Sequence, residues 1–194
     1  MRKLPLIVLA ILFPTVAFAH TGAGETSGLL LGLEHPLAGL DHIIAMVAVG
    51  VLAVVIGGRA RWLLPASFIA MMVVGFLLGR TGVDVPFVEL GIALSGIAIG
   101  GAAALGRQIP TAVAMAFVGV FAIFHGYAHG SEMAAGASGL QYAVGFVVST
   151  ALLHLAGVAG AIGLNQAAGR YGRTAARVVG GTLSLGAVLL LGWF

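Results

Sequence analysis

From residue 36 to residue 193 the chain is a series of six apolar runs separated by short loops. The runs lie near 36–57, 62–79, 86–105, 110–130, 139–163 and 174–193. A membrane-spanning helix needs about 17–25 apolar residues, and each run is long enough. This pattern predicts an all-α polytopic membrane protein with six transmembrane helices in one bundle. The composition agrees: 60% of residues are hydrophobic and only 8% are charged, where a soluble domain carries about 25% charge. Glycine is abundant at 31 residues without a collagen period, which suits helices packed closely in lipid. The net charge of +3 is spread between the runs and makes no basic face for nucleic acid. The absence of cysteine excludes thiolate metal sites, disulfides and redox motifs.

The first residues read differently. Arg2 and Lys3 precede an apolar stretch from Leu4 to Val16, followed by Ala17-Phe18-Ala19. A charged region, a short apolar core and an A-x-A site make residues 1–19 a signal peptide, with an uncleaved first helix as the alternative. Cleavage leaves residues 20–194 as the transmembrane domain and His20 as the new N-terminus on the exported side. Residues 20–33 are glycine-rich, with Glu25 among them and Glu34 just after. They read as a short external segment leading into the first span.

Arginine placement sets the orientation. With the mature N-terminus outside, the inner loops hold Arg59, Arg61, Arg107, Arg170 and Arg173, and Arg177 starts the last span. The outer loops hold only Arg80. That obeys the positive-inside rule and puts both chain ends on the periplasmic side of a bacterial inner membrane. Pro36, Pro86 and Pro110 stand at or near the starts of runs, where a missing N–H does no harm. Gly75/Gly79, Gly96/Gly100 and Gly126/Gly130 have the G-xxx-G spacing that lets helices approach closely.

Two polar clusters interrupt this apolar background. His35-Pro36-Leu37-Ala38-Gly39-Leu40-Asp41-His42 opens the first run, and His125-Gly126-Tyr127-Ala128-His129-Gly130-Ser131-Glu132 closes the fourth. Ionisable side chains in a span are costly and usually functional. On a continuous helix His35 and His42, seven apart, share a face about 10 Å apart along the axis. Asp41, turned about 100° from His42, either ligates an ion from the side or holds an imidazole from behind. His125, His129 and Glu132 fall at i, i+4 and i+7, and an H-x-x-x-H pair presents two imidazoles to one ion. Antiparallel packing of the first and fourth spans brings His42 and His125 to similar depth.

Four other residues are weaker candidates for the metal path. His154, about 22 Å along the fifth span, is a deeper relay or a helix–helix hydrogen-bond partner. Glu89, early in the third span, adds a carboxylate or is a rim residue. His20, if N-terminal, chelates through its amine and imidazole. Met46 lies one turn below His42, where packing is the commoner role of such a side chain.

The residues His35-Pro36-x-x-Gly39-x-Asp41-His42-x-x-Ala45-Met46-x-x-Val49-Gly50 and Phe124-His125-Gly126-x-Ala128-His129-Gly130-x-Glu132 resemble the motifs of the HupE/UreJ family of bacterial membrane proteins. The leader, the six spans and the size fit as well, so the resemblance covers essentially the whole chain. It implies a nickel permease serving hydrogenase or urease maturation, with cobalt as the other family cargo. It also implies a metal path through His35, Asp41, His42, His125, His129 and Glu132.

Donor chemistry agrees, since imidazole and carboxylate suit nickel, cobalt, zinc or copper(II). There is no G-x-x-x-x-G-K-[ST] loop, and Lys3 is the only lysine, so ATP is not bound in that way. The expected function is a secondary permease rather than an enzyme, with no prosthetic group and with transported Ni2+, Co2+ or Zn2+ as cargo. Two alternatives use the same residue types: an intramembrane zinc hydrolase, with Ser95 and Ser149 as accessory groups, and a metal sensor or chaperone that binds without transport.

Overall fold

The computed structural model describes residues 28–133 and 138–191, and these form an all-helical bundle. We number its helices α1 (Gly28–Ala38), α2 (Leu40–Ile56), α3 (Ala60–Arg80), α4 (Val88–Leu105), α5 (Thr111–Ser131), α6 (Gly139–Ala167) and α7 (Gly172–Leu191), with a 3-10 turn at Gly169–Tyr171 before α7. Five segments, α3 to α6 and Gly169–Leu191, are long and apolar enough to cross a membrane. α1 and α2 pass the same test only as a pair, bent by 83°, which brings the number of candidate spans to six. The protein is therefore an all-α polytopic membrane protein. The proposed leader and His20 lie outside the described residues.

The entry to the first span departs from the sequence expectation. Residues 28–33 form the first turns of α1. Pro36 is not at a helix start; it lies inside α1, near its last turn. The helix stops two residues later at Ala38. Proline removes one backbone donor and crowds the preceding turn, and Gly39 follows in an extended conformation, φ −105° and ψ 124°. The chain turns there and restarts as α2. His35 and His42 thus occupy two helices, and the two-turn spacing along one face does not apply.

α2 is the central helix. It packs against α3, α4, α6 and α7, and its residues from Ala45 to Val55 are buried apart from Val47, which is partly covered. Its sequence, with no polar group beyond His42, allows this. It ends at Gly57 (φ 82°), whose N–H donates to Ala53 O, a left-handed stop that glycine adopts readily.

Glycines set the helix spacing around it. α3 and α5 pack along one another, and the two G-xxx-G pairs face each other. A Cβ on Gly75 would strike Ile123 O, one on Gly79 Tyr127 O, one on Gly126 Met72 O, and one on Gly130 Phe76 O. Backbone meets backbone there, which only glycine permits. Gly100 plays the same part against α7, at Gly180 O and Ser184 N, and Gly96 makes room there for the Ala187 side chain.

The two ends of the bundle differ. At one end lie the starts of α2, α4 and α6 and the ends of α3 and α5. Tyr127 of α5 ties the α3–α4 loop there, its hydroxyl donating to Val83 O at 2.7 Å and accepting from Val85 N–H at 3.3 Å. At the other end Arg177 Nε donates to Ala104 O at 2.9 Å, and Gln108 Nε2 to Val55 O at 3.4 Å. These bonds satisfy carbonyls left open where α4 and α2 end.

Candidate metal pathway

The motif of α5 divides its work between two faces. Gly126 and Gly130 turn toward α3 and bring that helix close. His125 and His129, each one residue earlier and about 100° round the helix, are fully buried. Close packing and imidazole placement thus come from the same stretch, His125 to Gly130.

The break at Gly39 does the corresponding work on the other side. It lets α1 fold back so that the His35 ring lies 4.7 Å from His129, centroid to centroid, and 5.9 Å from Tyr142. His35 Nε2 is 3.5 Å from Glu132 Oε2 at a partly exposed rim. In the first turn of α2 the His42 ring is 5.3 Å from His129 and 4.7 Å from His125. α2 and α5 have little direct contact along their lengths, so these imidazoles are where the two helices meet.

Together the rings make a file. It runs from Glu132 and His35 at the rim to His129, His42 and His125. Phe68 of α3 continues it, 5.6 Å from His125 and 5.1 Å from His154. Exposure falls from the rim inward, although His42 is more open than His129 beside it. The side chains of Glu132 and His35 are 53% and 34% accessible, that of His42 is 14%, and His129, His125 and His154 are sealed. Five of the six histidines in the chain lie on this path. Phe146 stacks on His129 at 5.0 Å. Beside Phe68, one turn along α3, Met72 accepts a hydrogen bond from Thr150 at 3.7 Å.

Two imidazoles have a side-chain partner on one ring nitrogen and none on the other. Asp41 Oδ1 accepts from the His42 backbone N–H at 2.8 Å and lies 3.1 Å from His42 Nδ1. A carboxylate only accepts, so the proton is on Nδ1 and the Nε2 lone pair is free. That atom is buried and has no partner. Gly39 makes room for this pair: a Cβ there would lie 2.6 Å from Asp41 Oδ1 and 3.1 Å from His42 Nδ1. On the other helix, His125 Nε2 is 2.9 Å from Ser95 Oγ of α4, and His125 Nδ1 is buried without a partner.

Both nitrogens of His129 and both of His154 are also buried and unpartnered. A buried polar group left unpaired costs about 1–3 kcal/mol, and several in one file are not there for stability. As the side chains stand, no three described His, Asp or Glu residues close on a single point tightly enough to hold an ion together. The file offers free nitrogens in succession rather than a closed cage.

The structure brings together His35, Asp41, His42, His125, His129 and Glu132, and it adds His154 through Phe68. Glu89 stands apart. It is exposed in the first turn of α4 and lines an apolar crevice with Leu90, Ala93 and Leu191. Met46 is packed in the core. Phe68, Phe146 and Tyr142 did not stand out in the sequence, because aromatic residues in a span look alike until their neighbours are known. Ser95, which the sequence suggested only as an accessory of a hydrolase, has instead a specific partner in His125.

Comparison with known proteins points the same way. Residues 7–190 match the family described as HupE / UreJ protein. Protein HupE of Rhizobium leguminosarum bv. viciae is 42% identical over 191 residues, 98% of each chain. No solved structure matches. The chain therefore belongs to the HupE/UreJ family, whose members are metal transporters and not enzymes.

Proposed function

We propose that this protein is an inner-membrane permease that imports a divalent transition metal, nickel foremost and cobalt second, through the imidazole file. The observation that carries the reading is the set of free, buried imidazole nitrogens on His42, His125, His129 and His154, in ring contact from rim to interior. Imidazole backed by carboxylate favours nickel, cobalt and zinc, and the chain has no thiolate to draw copper(I). Membership in a transporter family removes the hydrolase alternative and the binding-only alternative.

The ion is caught at the rim by His35 and Glu132 and passes to His129. It then exchanges water for His42 Nε2 and His125 Nδ1, both buried without a partner. His154 receives it beyond the Phe68 ring. The rim faces the periplasm, because Arg59, Arg61, Arg107, Arg170 and Arg173 lie in the loops or the first helical turns at the opposite end and basic ends stay inside. Both termini then lie on the periplasmic side, after removal of the leader.

The energy needs no nucleotide. A divalent ion moving inward gains about 4.6 kcal/mol per 100 mV, from about 2.3 per charge, which is more than three decades of concentration at about 1.4 kcal/mol each. The metal delivered this way would serve hydrogenase or urease maturation.

The test is uptake of radioactive nickel into proteoliposomes holding the purified protein, with cobalt and zinc as competitors. The wild type accumulates nickel under an inside-negative potential. His42→Ala and His125→Ala fold, insert and accumulate none. Normal uptake by both variants would refute the pathway, and stronger competition by zinc than by cobalt would refute the assigned cargo.

A further inference from the structure

Ser95 is fully buried in the middle of α4, and its hydroxyl has two neighbours. Oγ lies 2.5 Å from Ile92 O on its own helix and 2.9 Å from His125 Nε2 on α5. A hydroxyl has one proton to give. Two oxygens at 2.5 Å need that proton between them, since this is the short end of the O–H···O range. The proton therefore goes to Ile92 O, and Ser95 has only lone pairs left for the imidazole. His125 Nε2 must then carry the ring proton and donate it. This leaves the Nδ1 lone pair bare, and that atom is buried without a partner.

Serine bonded to the carbonyl three residues back is ordinary in helices. Here that ordinary bond has a consequence across the helix interface. It turns a group able to donate or accept into one that only accepts. The arrangement mirrors the other side of the file, where Asp41 holds the His42 proton on Nδ1 and frees Nε2. A neutral serine thus does for one imidazole what a carboxylate does for the next, without placing a second charge deep in the bundle, where charge is expensive.

We propose that Ser95 is a positioning residue that locks His125 as the Nε2-protonated tautomer, so that Nδ1 is the nitrogen offered to the metal. The assignment rests on the permease reading for its purpose but not for its chemistry, so the two can fail separately. Partners that orient a metal-binding histidine are worth about ten- to hundredfold in affinity. Loss of the lock should cost that much and leave the fold intact.

The experiment reads the tautomer directly. Histidine-15N-labelled, metal-free protein in lipid nanodiscs is examined by NMR, with the His125 signals assigned by their absence in His125→Gln. The wild type should show the ring proton on Nε2 alone. Ser95→Ala should show a mixture or the Nδ1-protonated form and bind nickel about ten- to hundredfold more weakly. Ser95→Thr, which keeps the hydroxyl, should restore the wild-type ring signal. A wild-type proton on Nδ1, or an unchanged tautomer in Ser95→Ala, overturns the assignment, and the wild-type spectrum decides even if the variants fold poorly. If the tautomer responds as stated while wild-type proteoliposomes fail to accumulate nickel, the permease reading falls and the role of Ser95 in setting the ring proton stands.

Discussion

Gly39→Ala tests whether the Asp41–His42 pair matters for metal binding without removing any ligand. The backbone at Gly39, φ −105° and ψ 124°, is open to alanine, so the substitution brings no conformational strain. Its whole effect is one methyl group. That carbon would sit 2.6 Å from Asp41 Oδ1, where ordinary contact begins near 3.4 Å, so the carboxylate must retreat by about 0.8 Å. The methyl also presses on His42 Nδ1 at 3.1 Å, so the Asp41–His42 ring bond, now 3.1 Å, should weaken as the two groups are pushed out of alignment. The displaced atom is the end of a side chain, so the fold adjusts cheaply. Exchanging glycine for alanine also restricts the unfolded chain, worth about 0.4–1 kcal/mol in favour of folding. Nickel affinity, by contrast, should fall about ten- to hundredfold, the usual cost of losing a partner behind a metal-binding histidine. That is about 1.4–2.7 kcal/mol at 1.36 kcal/mol per decade, in line with about 1.5–3 kcal/mol for a hydrogen bond to a charged group. Titration calorimetry on the purified protein measures the affinity, and a thermal melt checks the fold. Gly160→Ala is the control, because a Cβ there meets nothing within 4 Å. A folded Gly39→Ala protein with wild-type nickel affinity would show that the pair is irrelevant to binding.

Two further substitutions separate the fold from the path. Gly126→Leu drives a side chain into the Met72 carbonyl and should destabilise the α3–α5 pair by at least the 1–3 kcal/mol typical of overpacking, read as a lower melting temperature; an unchanged melt would mean the helices are not packed this closely. His154→Leu keeps the bulk of a sealed residue and leaves the rim untouched, so nickel affinity should stay within about twofold while uptake falls at least tenfold; full uptake would remove His154 from the route.

The fold was largely legible because lipid narrows the choices. Long apolar runs leave helices as the natural reading, and arginine placement then orders the loops. The first span was less legible. Its hydropathy is continuous through Pro36 and Gly39, and apolar content alone does not reveal a sharp bend. The cluster survived that misreading because the structure still brings the same side chains together, by a different geometry. His35 reaches His129 by folding back from a separate helix, not by standing two turns above His42 on the same one. The G-xxx-G pairs were visible as spacing, but only tertiary contacts show that Gly75 and Gly79 face Gly126 and Gly130. Ser95 was least legible. It lies 30 residues from His125, and a single serine in a span carries no pattern. Its meaning depends on which lone pair is left after Ile92 O has taken the proton.

The same geometry bears on why the file would conduct rather than store. A structural metal site closes four ligands around the ion, and cargo held that way does not leave. Conduction needs binding strong enough to strip water and weak enough, or shared over enough sites, to release. Successive rings 4.7–5.3 Å apart from His35 to His125 offer free nitrogens in turn, and no described trio is already closed on one point. On the proposed path each transfer would trade one nitrogen for the next, and no single station would have to supply the whole dehydration energy. The carboxylates sit where this scheme wants them. Glu132 and Asp41 lie toward the rim, where charge attracts a cation and water is still near, and the deeper stations at His125 and His154 are neutral. A carboxylate placed beside His154 would deepen the inner well against the membrane potential's gain of about 4.6 kcal/mol per 100 mV and turn a passage into a trap.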